Sequence, residues 1–266
     1  MLVLIEPHAD AVSRRAADLV EGLIRAKPDC VIGLAAGATP LGLYAELVRR
    51  HLENALDFSR VTAIGLDDYL DLSPDHPAAC GCILRRALIS RVNLDPARIH
   101  LLDTNPQGDL QTYCAAHEAR IEAVGGLDLQ ILGLGVNGHI GFNEPGCSLA
   151  ARTHPVALRA RTRITNGPLF VTGQEVPKMA MTMGVATILS ARRIMLLATG
   201  PSKAEAVAKA VEGPVTAMLP ASALQLHPDA MMLLDSAAAE GLSLKEDYRA
   251  EAAVLLERGT RHPAQA

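Results

Sequence analysis

Between residues 10 and 25 the apolar side chains fall at Val12, Ala16, Leu19, Val20, Leu23 and Ile24, the spacing of one face of an amphipathic helix. Elsewhere the pattern changes to short apolar runs. Those at 1–6, 30–34, 61–66, 99–102, 129–132, 194–199 and 230–234 have the length of strands, and a strand buried on both faces needs no polar alternation. Helices are predicted between them, from Pro40 to about Glu53, over 80–89, over 110–124 and from Lys203 to Val211. Pro40 suits a first helical turn, where its missing N–H is no loss. Strands alternating with helices across short turns predict an α/β fold. The expectation is a single open, mostly parallel sheet with helices on both faces, doubly wound and Rossmann-like.

No repeat, low-complexity segment or long linker interrupts this pattern, so 1–266 reads as one domain. The Pro-, Gly- and Asn-containing stretch 161–177 reads as a lid or loop within it. Apolar residues make up 49% of the chain, enough for a sizeable core, but three Phe, four Tyr and no Trp require that core to be aliphatic. A net charge of −4 gives no reason to expect nucleic acid or an anionic membrane as partner. No run approaches the 18 or more apolar residues, roughly, of a membrane span. The N-terminus lacks the basic region and cleavage site of a signal peptide. Cys30, Cys80, Cys82, Cys114 and Cys147 are odd in number and scattered, and no second pair completes a zinc site around Cys80 and Cys82. They read as reduced thiols of a cytoplasmic protein, with no metal and no cofactor implied.

Candidate chemistry gathers where the apolar runs end. The run at 129–132 opens into Gly133, Gly135 and Gly138, then His139, Gly141, Asn143 and Glu144, with Asn137 among the glycines. A glycine turn at a strand end lets the backbone come close to a ligand, and a carboxylate near an imidazole holds one tautomer for proton transfer. Asp67 and Asp68 close another run, and alternation along a strand sends their side chains to opposite faces. One can then serve as a base while the other is bound to backbone; an unperturbed Asp, pKa about 3.9, is ionised near neutrality. The turn Ala36, Gly37, Ala38, Thr39 leads from strand to helix and offers backbone N–H groups to an anion. It is neither a P-loop nor a dinucleotide fingerprint. Lys203 opens the helix after the 194–199 run and can add a positive charge to the same anion. In open parallel sheets ligands bind beyond the carboxyl ends of the strands, so these four turns surround one site if their strands are neighbours.

With these residues in hand the sequence resembles the glucosamine-6-phosphate deaminase (isomerase) family. The resemblance runs from Gly33 to about Asp235. It rests on Gly37-x-Thr39-Pro40, Leu66-Asp67-Asp68-Tyr69, Asp75-His76-Pro77, the string Gly138 to Pro145, Ser148-Leu149, Gly200-x-x-Lys203 and Leu224 to Pro228. It implies a metal-free aldose–ketose isomerisation with loss of ammonia, giving fructose 6-phosphate from glucosamine 6-phosphate in amino-sugar catabolism. By that resemblance His139 opens the pyranose ring by moving a proton to or from the ring oxygen, oriented by Glu144 with Asn137 assisting. Asp67 then takes the C2 proton and passes it to C1, giving an enolamine that loses ammonia. Ala36, Gly37, Ala38, Thr39, Asp68, Gly138 and Lys203 are the implied substrate-binding positions.

Several positions depart from the family pattern. Some members have Asp at the position of Asn137; an amide cannot take a proton, so ring opening here rests on His139 and Glu144. The phosphate turn often has Ser or Thr where Ala36 stands and Gly or Ser where Ala38 stands. The family's phosphate-binding Arg falls near Pro168, leaving Arg161 or Arg163 as substitutes only if the loop runs differently. The cations of the activator site in hexameric members fall at His154 and Val156, with only Ser148 kept, which argues against that regulation and leaves a homo-oligomer open. Galactosamine 6-phosphate is the alternative substrate. A 6-phosphogluconolactonase normally has Asp-Glu-Arg and Ser-Leu-Phe-Pro motifs where this chain has Asp-Asp-Tyr and Gly-Phe-Asn-Glu-Pro. A sugar-phosphate sensor would need a DNA-binding or partner domain, for which one fold of this length leaves no room.

Overall fold

All seven apolar runs enter one sheet in the computed structural model, which describes residues 1–170 and 174–257 apart from the side chains of Arg161, Leu169, Leu256 and Glu257. In chain order the first half comprises β1 (Leu2–Glu6), α1 (Ala9–Ala26), β2 (Val31–Leu34), α2 (Ala38–Asn54), β3 (Thr62–Gly65), β4 (Asp67–Tyr69), α3 (Cys80–Ala87), β5 (Ile99–His100) and α4 (Leu110–Ala123). The second half follows with β6 (Leu129–Gly133), β7 (His154–Ala157), α5 (Ala160–Asn166), β8 (Met179–Thr182), α6 (Val185–Leu189), β9 (Ile194–Ala198), α7 (Ala204–Glu212), β10 (Ala230–Asp235) and α8 (Lys245–Glu257). The large sheet has the order β1-β10-β9-β6-β2-β3-β5, and every neighbouring pair is parallel.

The strands show why period-2 polarity is absent: both faces are covered. Along β9, Ile194, Leu196 and Ala198 join Ile121 of α4, Ile188 of α6 and Val207 of α7 on one face. Met195 and Leu197 join Val12 and Ala16 of α1, Leu43 and Leu47 of α2 and Leu84 of α3 on the other. Each such Val, Leu, Ile or Met side chain removed from water contributes about 1.5–3 kcal/mol, so the core is built from many aliphatic contacts rather than a few aromatic ones. Among the described residues no helix is long and apolar enough to cross a membrane.

Beside the parallel sheet lies a small antiparallel one, β4-β8-β7, which the apolar pattern does not announce. One of its strands has three residues and another carries Pro155, too little for a readable period. It covers a second core of Tyr69, Phe142, Leu158, Phe170 and Ala180, where the Tyr69 ring lies 5.2 Å from Phe142 and 5.6 Å from Phe170 between centroids. Two expectations change with it. Asp67 and Asp68 do not end a strand of the main sheet; β3 stops at Gly65, and they lie on β4, paired with Thr182 and Met181. The stretch 161–177 is not irregular throughout, because it contains most of α5, followed by a 3₁₀ turn at Gly167–Leu169. The 171–173 part of the expected lid lies outside the described residues.

Candidate active site

The chain leaves β2 towards β3 and β5 on one side of the sheet and, later, β6 towards β9 and β10 on the other. The order reverses between β2 and β6, and a crevice opens at the carboxyl ends of strands at such a point. The turns after β9, β6, β2 and β3 are those that carry Lys203, His139, Gly37 and, one step on, Asp67. These four strands are consecutive in the sheet, so the four turns share one rim.

The loop after β6 is held tightly from within. Gly135 donates its N–H to the His139 carbonyl at 2.9 Å, and the His139 ring folds back over Gly135, so close that a Cβ there would meet ring atoms at 2.4 Å. Gly141 has φ +56°, and a Cβ on it would come within 2.7 Å of Thr182 Oγ1 and 3.3 Å of Asp67 Oδ2. No larger residue fits either place. Asn143 is buried and donates its amide to the carbonyls of Ile140 and Met183, at 2.9 and 2.8 Å. Gly138 is buried with its N–H on the Gly135 carbonyl and its own carbonyl accepting from Ala221. Its backbone therefore shapes the loop, with both its N–H and its carbonyl engaged by the protein.

His139 is about a quarter exposed, and its Nδ1 lies 3.8 Å from Glu144 Oε1. Glu144 is buried, with Asn137 Nδ2 donating to Oε2 at 2.8 Å and the Thr162 hydroxyl of α5 donating to Oε1. Asn137 also accepts from the His139 N–H at 3.2 Å. Burial lowers the His139 pKa; the Glu144 charge works against this and the Lys203 charge adds to it. A neutral imidazole is the form that takes up a proton.

The two aspartates of β4 diverge. Asp68 is 2% exposed, and its carboxylate accepts three backbone N–H groups, from Tyr69 at 2.8 Å, Cys80 at 2.9 Å and Gly81 at 2.8 Å. It is engaged with the start of α3. Burial pushes it up to about 6 against those three donors. Asp67, on the other face, is half-buried against Gly141. Burial and then the charge of Asp68 push it up to about 7, opposed by the Cys80 thiol. That corrects the ordinary carboxylate value expected for it: Asp67 is poised near neutrality, where a general base works best.

At the other end of the crevice, Gly37 caps α2 with no side-chain bond, leaving the first N–H groups of the helix free of a protein cap. Ala36 is partly buried, Gly37 and Ala38 are exposed and Thr39 is intermediate. The Tyr44 hydroxyl fixes this turn, accepting from the Ala35 N–H at 3.2 Å and donating to its carbonyl at 2.8 Å. A Cβ at Gly133 would lie 3.7 Å from Pro40 Cδ, which sets the start of α2 against the end of β6. Lys203 ends a 3₁₀ turn after Gly200, whose N–H is held by both carboxylate oxygens of Asp235 at 3.0 Å; burial lowers the lysine's pKa. Pro168 sits in the 3₁₀ turn after α5, exposed and without a donor. Of the two arginines weighed in its place, the side chain of Arg161 lies outside the described residues. Arg163 shares a helix face with Thr162 and Asn166, and its Nε is buried without a hydrogen-bond partner.

Sequence reasoning did not find Thr162, Thr182 or Asp235. Thr182 accepts from the Phe142 N–H at 3.1 Å, and Asn166 donates to the Tyr69 hydroxyl at 2.8 Å. Only the folded chain brings Thr162 and Thr182 to the loop after β6 and Asp235 to the turn at Gly200.

A family profile described as glucosamine-6-phosphate isomerases/6-phosphogluconolactonase matches residues 6–233. The glucosamine-6-phosphate deaminase of Arthrobacter sp. (strain FB24) is 47% identical over 249 residues, 94% of this chain and 95% of the relative. That of Mycolicibacterium smegmatis is 44% identical over 253 residues, again 94% of this chain and 95% of the relative. A solved monomeric glucosamine-6-phosphate deaminase superposes with a TM-score of 0.88 at 42% identity, over 91% of this chain and 100% of its own. A 6-phosphogluconolactonase from Trypanosoma brucei reaches a TM-score of 0.73 at 19% identity, over 91% and 98% of the two chains, a likeness of fold alone.

Proposed function

This chain belongs to the glucosamine-6-phosphate deaminase family, and on that premise we propose how its residues convert glucosamine 6-phosphate to fructose 6-phosphate and ammonia. His139, neutral and backed by Glu144, takes the proton of the C1 hydroxyl and returns it to the ring oxygen as the C1–O5 bond breaks. Asp67 then takes the C2 proton, giving an enolamine, and returns it to C1. The resulting imine at C2 takes up water and releases ammonia, so the net reaction is an isomerising deamination that consumes water. One carboxylate near both carbons suffices for the proton transfer, and Asp67 is the carboxylate of the pair with no backbone N–H on it.

The single observation that carries this reading is the approach of Asp67 Oδ2 to Gly141, which sets the poised base against the loop of His139 and Glu144 at one crevice. The free N–H groups at the start of α2 and the Lys203 ammonium are the groups proposed for the phosphate. We read the protein as a cytoplasmic enzyme of amino-sugar breakdown, which its metabolic relatives and the five free cysteines support.

Ammonia release measured across glucosamine 6-phosphate, galactosamine 6-phosphate and free glucosamine tests the reading. Release from glucosamine 6-phosphate well above the other two is expected. Preference for the galacto epimer would reassign the substrate, and no release from any of the three would sink the reaction.

A further inference from the structure

Glu144 is held at both ends, and the two holds do different things. Asn137, from the same loop, donates to Oε2. Thr162, from α5, donates to Oε1, the same oxygen that lies 3.8 Å from His139 Nδ1. That distance is beyond a hydrogen bond. His139 Nδ1 is buried and has no hydrogen-bond partner, so the imidazole and its carboxylate are neighbours without being bonded. A shift of less than about 1 Å would bond them.

We propose that Thr162 is a positioning residue for ring opening: its hydroxyl holds Glu144 Oε1 off His139 Nδ1 and so keeps the imidazole neutral and ready to accept the C1 hydroxyl proton. This rests on the ring-opening role proposed above for His139. The placement follows from the helix. Thr162 and Asn166 are one turn apart on α5, and they dock on Glu144 and on the Tyr69 hydroxyl. Arg159, at the helix start, donates to the Pro145 carbonyl. Ile164, on the opposite face, is 77% exposed. The helix is thereby fastened to both sides of the crevice, with the Thr162 hydroxyl at the one oxygen His139 would use.

Of the charges that act on the His139 ring, Glu144 from its own loop favours an imidazolium and Lys203 from the turn after β9 disfavours it. Removing the Thr162 hydroxyl frees Oε1 to pair with Nδ1–H, which stabilises the charged ring. The sign follows: without the hydroxyl His139 binds its proton more tightly, and fewer molecules carry the free base below neutrality.

The test is an NMR titration of the His139 ring in the ligand-free protein, its signal assigned by loss in His139→Gln. Thr162→Val and, should valine not fold, Thr162→Ala are expected to raise the proton affinity of His139 about tenfold. Thr162→Ser, which keeps the hydroxyl, should titrate like wild type. In a Glu144→Gln background the valine should have no effect. Turnover of the closed-ring sugar at pH 6.5 should fall several-fold in the valine variant and recover by pH 8, with an open-chain analogue spared. An unchanged titration in Thr162→Val, an equal shift in Thr162→Ser, or a valine effect that persists in the Glu144→Gln background would each overturn the proposal. The titration uses no substrate, so it can fail while ammonia release succeeds, and the reverse.

Discussion

Asp67 carries the most informative chemistry of any single residue, because the fold moves its proton into the working range. Its pKa of about 7 predicts that kcat/KM rises with pH through about 7, since the base must be ionised. Asp67→Asn should abolish deamination while preserving the fold. A variant keeping more than about a tenth of wild-type kcat would remove Asp67 from the role, as a general base is worth roughly 10²–10⁴-fold. The same shift has a stability consequence. The folded pKa lies above the unfolded one, so the contribution of this group is fully present below about pH 4 and is lost as pH rises through about 7. Asp67→Asn should therefore raise Tm at pH 8.5, by a few degrees, and leave it unchanged near pH 4. His139 separates from Asp67 by step. His139→Gln should slow the closed-ring sugar far more than an open-chain analogue, and equal losses on both would show that the imidazole does not open the ring.

Among the elements, α2, the turn before α7, and α5 carry the groups proposed for the phosphate end. Pro168 offers no donor and Ala36 no hydroxyl, which leaves the first N–H groups of α2 and the Lys203 ammonium. A charge-assisted bond in a partly dry site is worth about 1.5–3 kcal/mol. Lys203→Ala should accordingly raise KM for the phosphorylated sugar by about tenfold to a hundredfold and spare an unphosphorylated one. An unchanged KM would transfer the role to another cation, and Arg163→Ala, assayed beside it, identifies whether α5 supplies that cation.

At the scale of the whole molecule, the two large aliphatic clusters lie on opposite faces of one sheet. Neither face can be exposed without stripping the strands that carry the other. Calorimetric and van't Hoff enthalpies should therefore agree in a single unfolding transition, within the described fold, and two resolved transitions would divide the chain where it is here read as one domain. The small antiparallel sheet has its own aromatic core, yet it includes the strand of Asp67 and holds the loop of His139 through Thr182. Its order is thus tied to activity: substitutions that loosen Tyr69 or Phe170 are expected to act on turnover before they act on global Tm.

How much of this the chain states by itself depends on how local each cause is. The seven strands of the main sheet are legible because burial writes them as mostly apolar runs without a polar alternation, and α1 is legible because one face of it is not buried. The glycine loop is legible because His139, Asn143 and Glu144 stand within a few residues of one another, with glycines between them. Strand order is not written in any run: that β9, β6, β2 and β3 are consecutive, and hence that four turns share a rim, follows from pairings as distant in sequence as Ile32 with Leu129. Nor is it local that Asp68 spends its carboxylate on the start of α3 while Asp67 is left for the crevice. Alternation along a strand separates the two side chains, but only packing decides which side is the site. Thr162 shows the limit most clearly. Nothing in Arg161-Thr162-Arg163 marks a partner for Glu144, because a hydrogen bond between residues eighteen apart exists only when α5 is laid across the loop. Composition and period determined the strands of the main sheet and the helices α1, α2, α3, α4 and α7; the tertiary structure alone decided which polar groups lose water together, and that loss is what sets their protons.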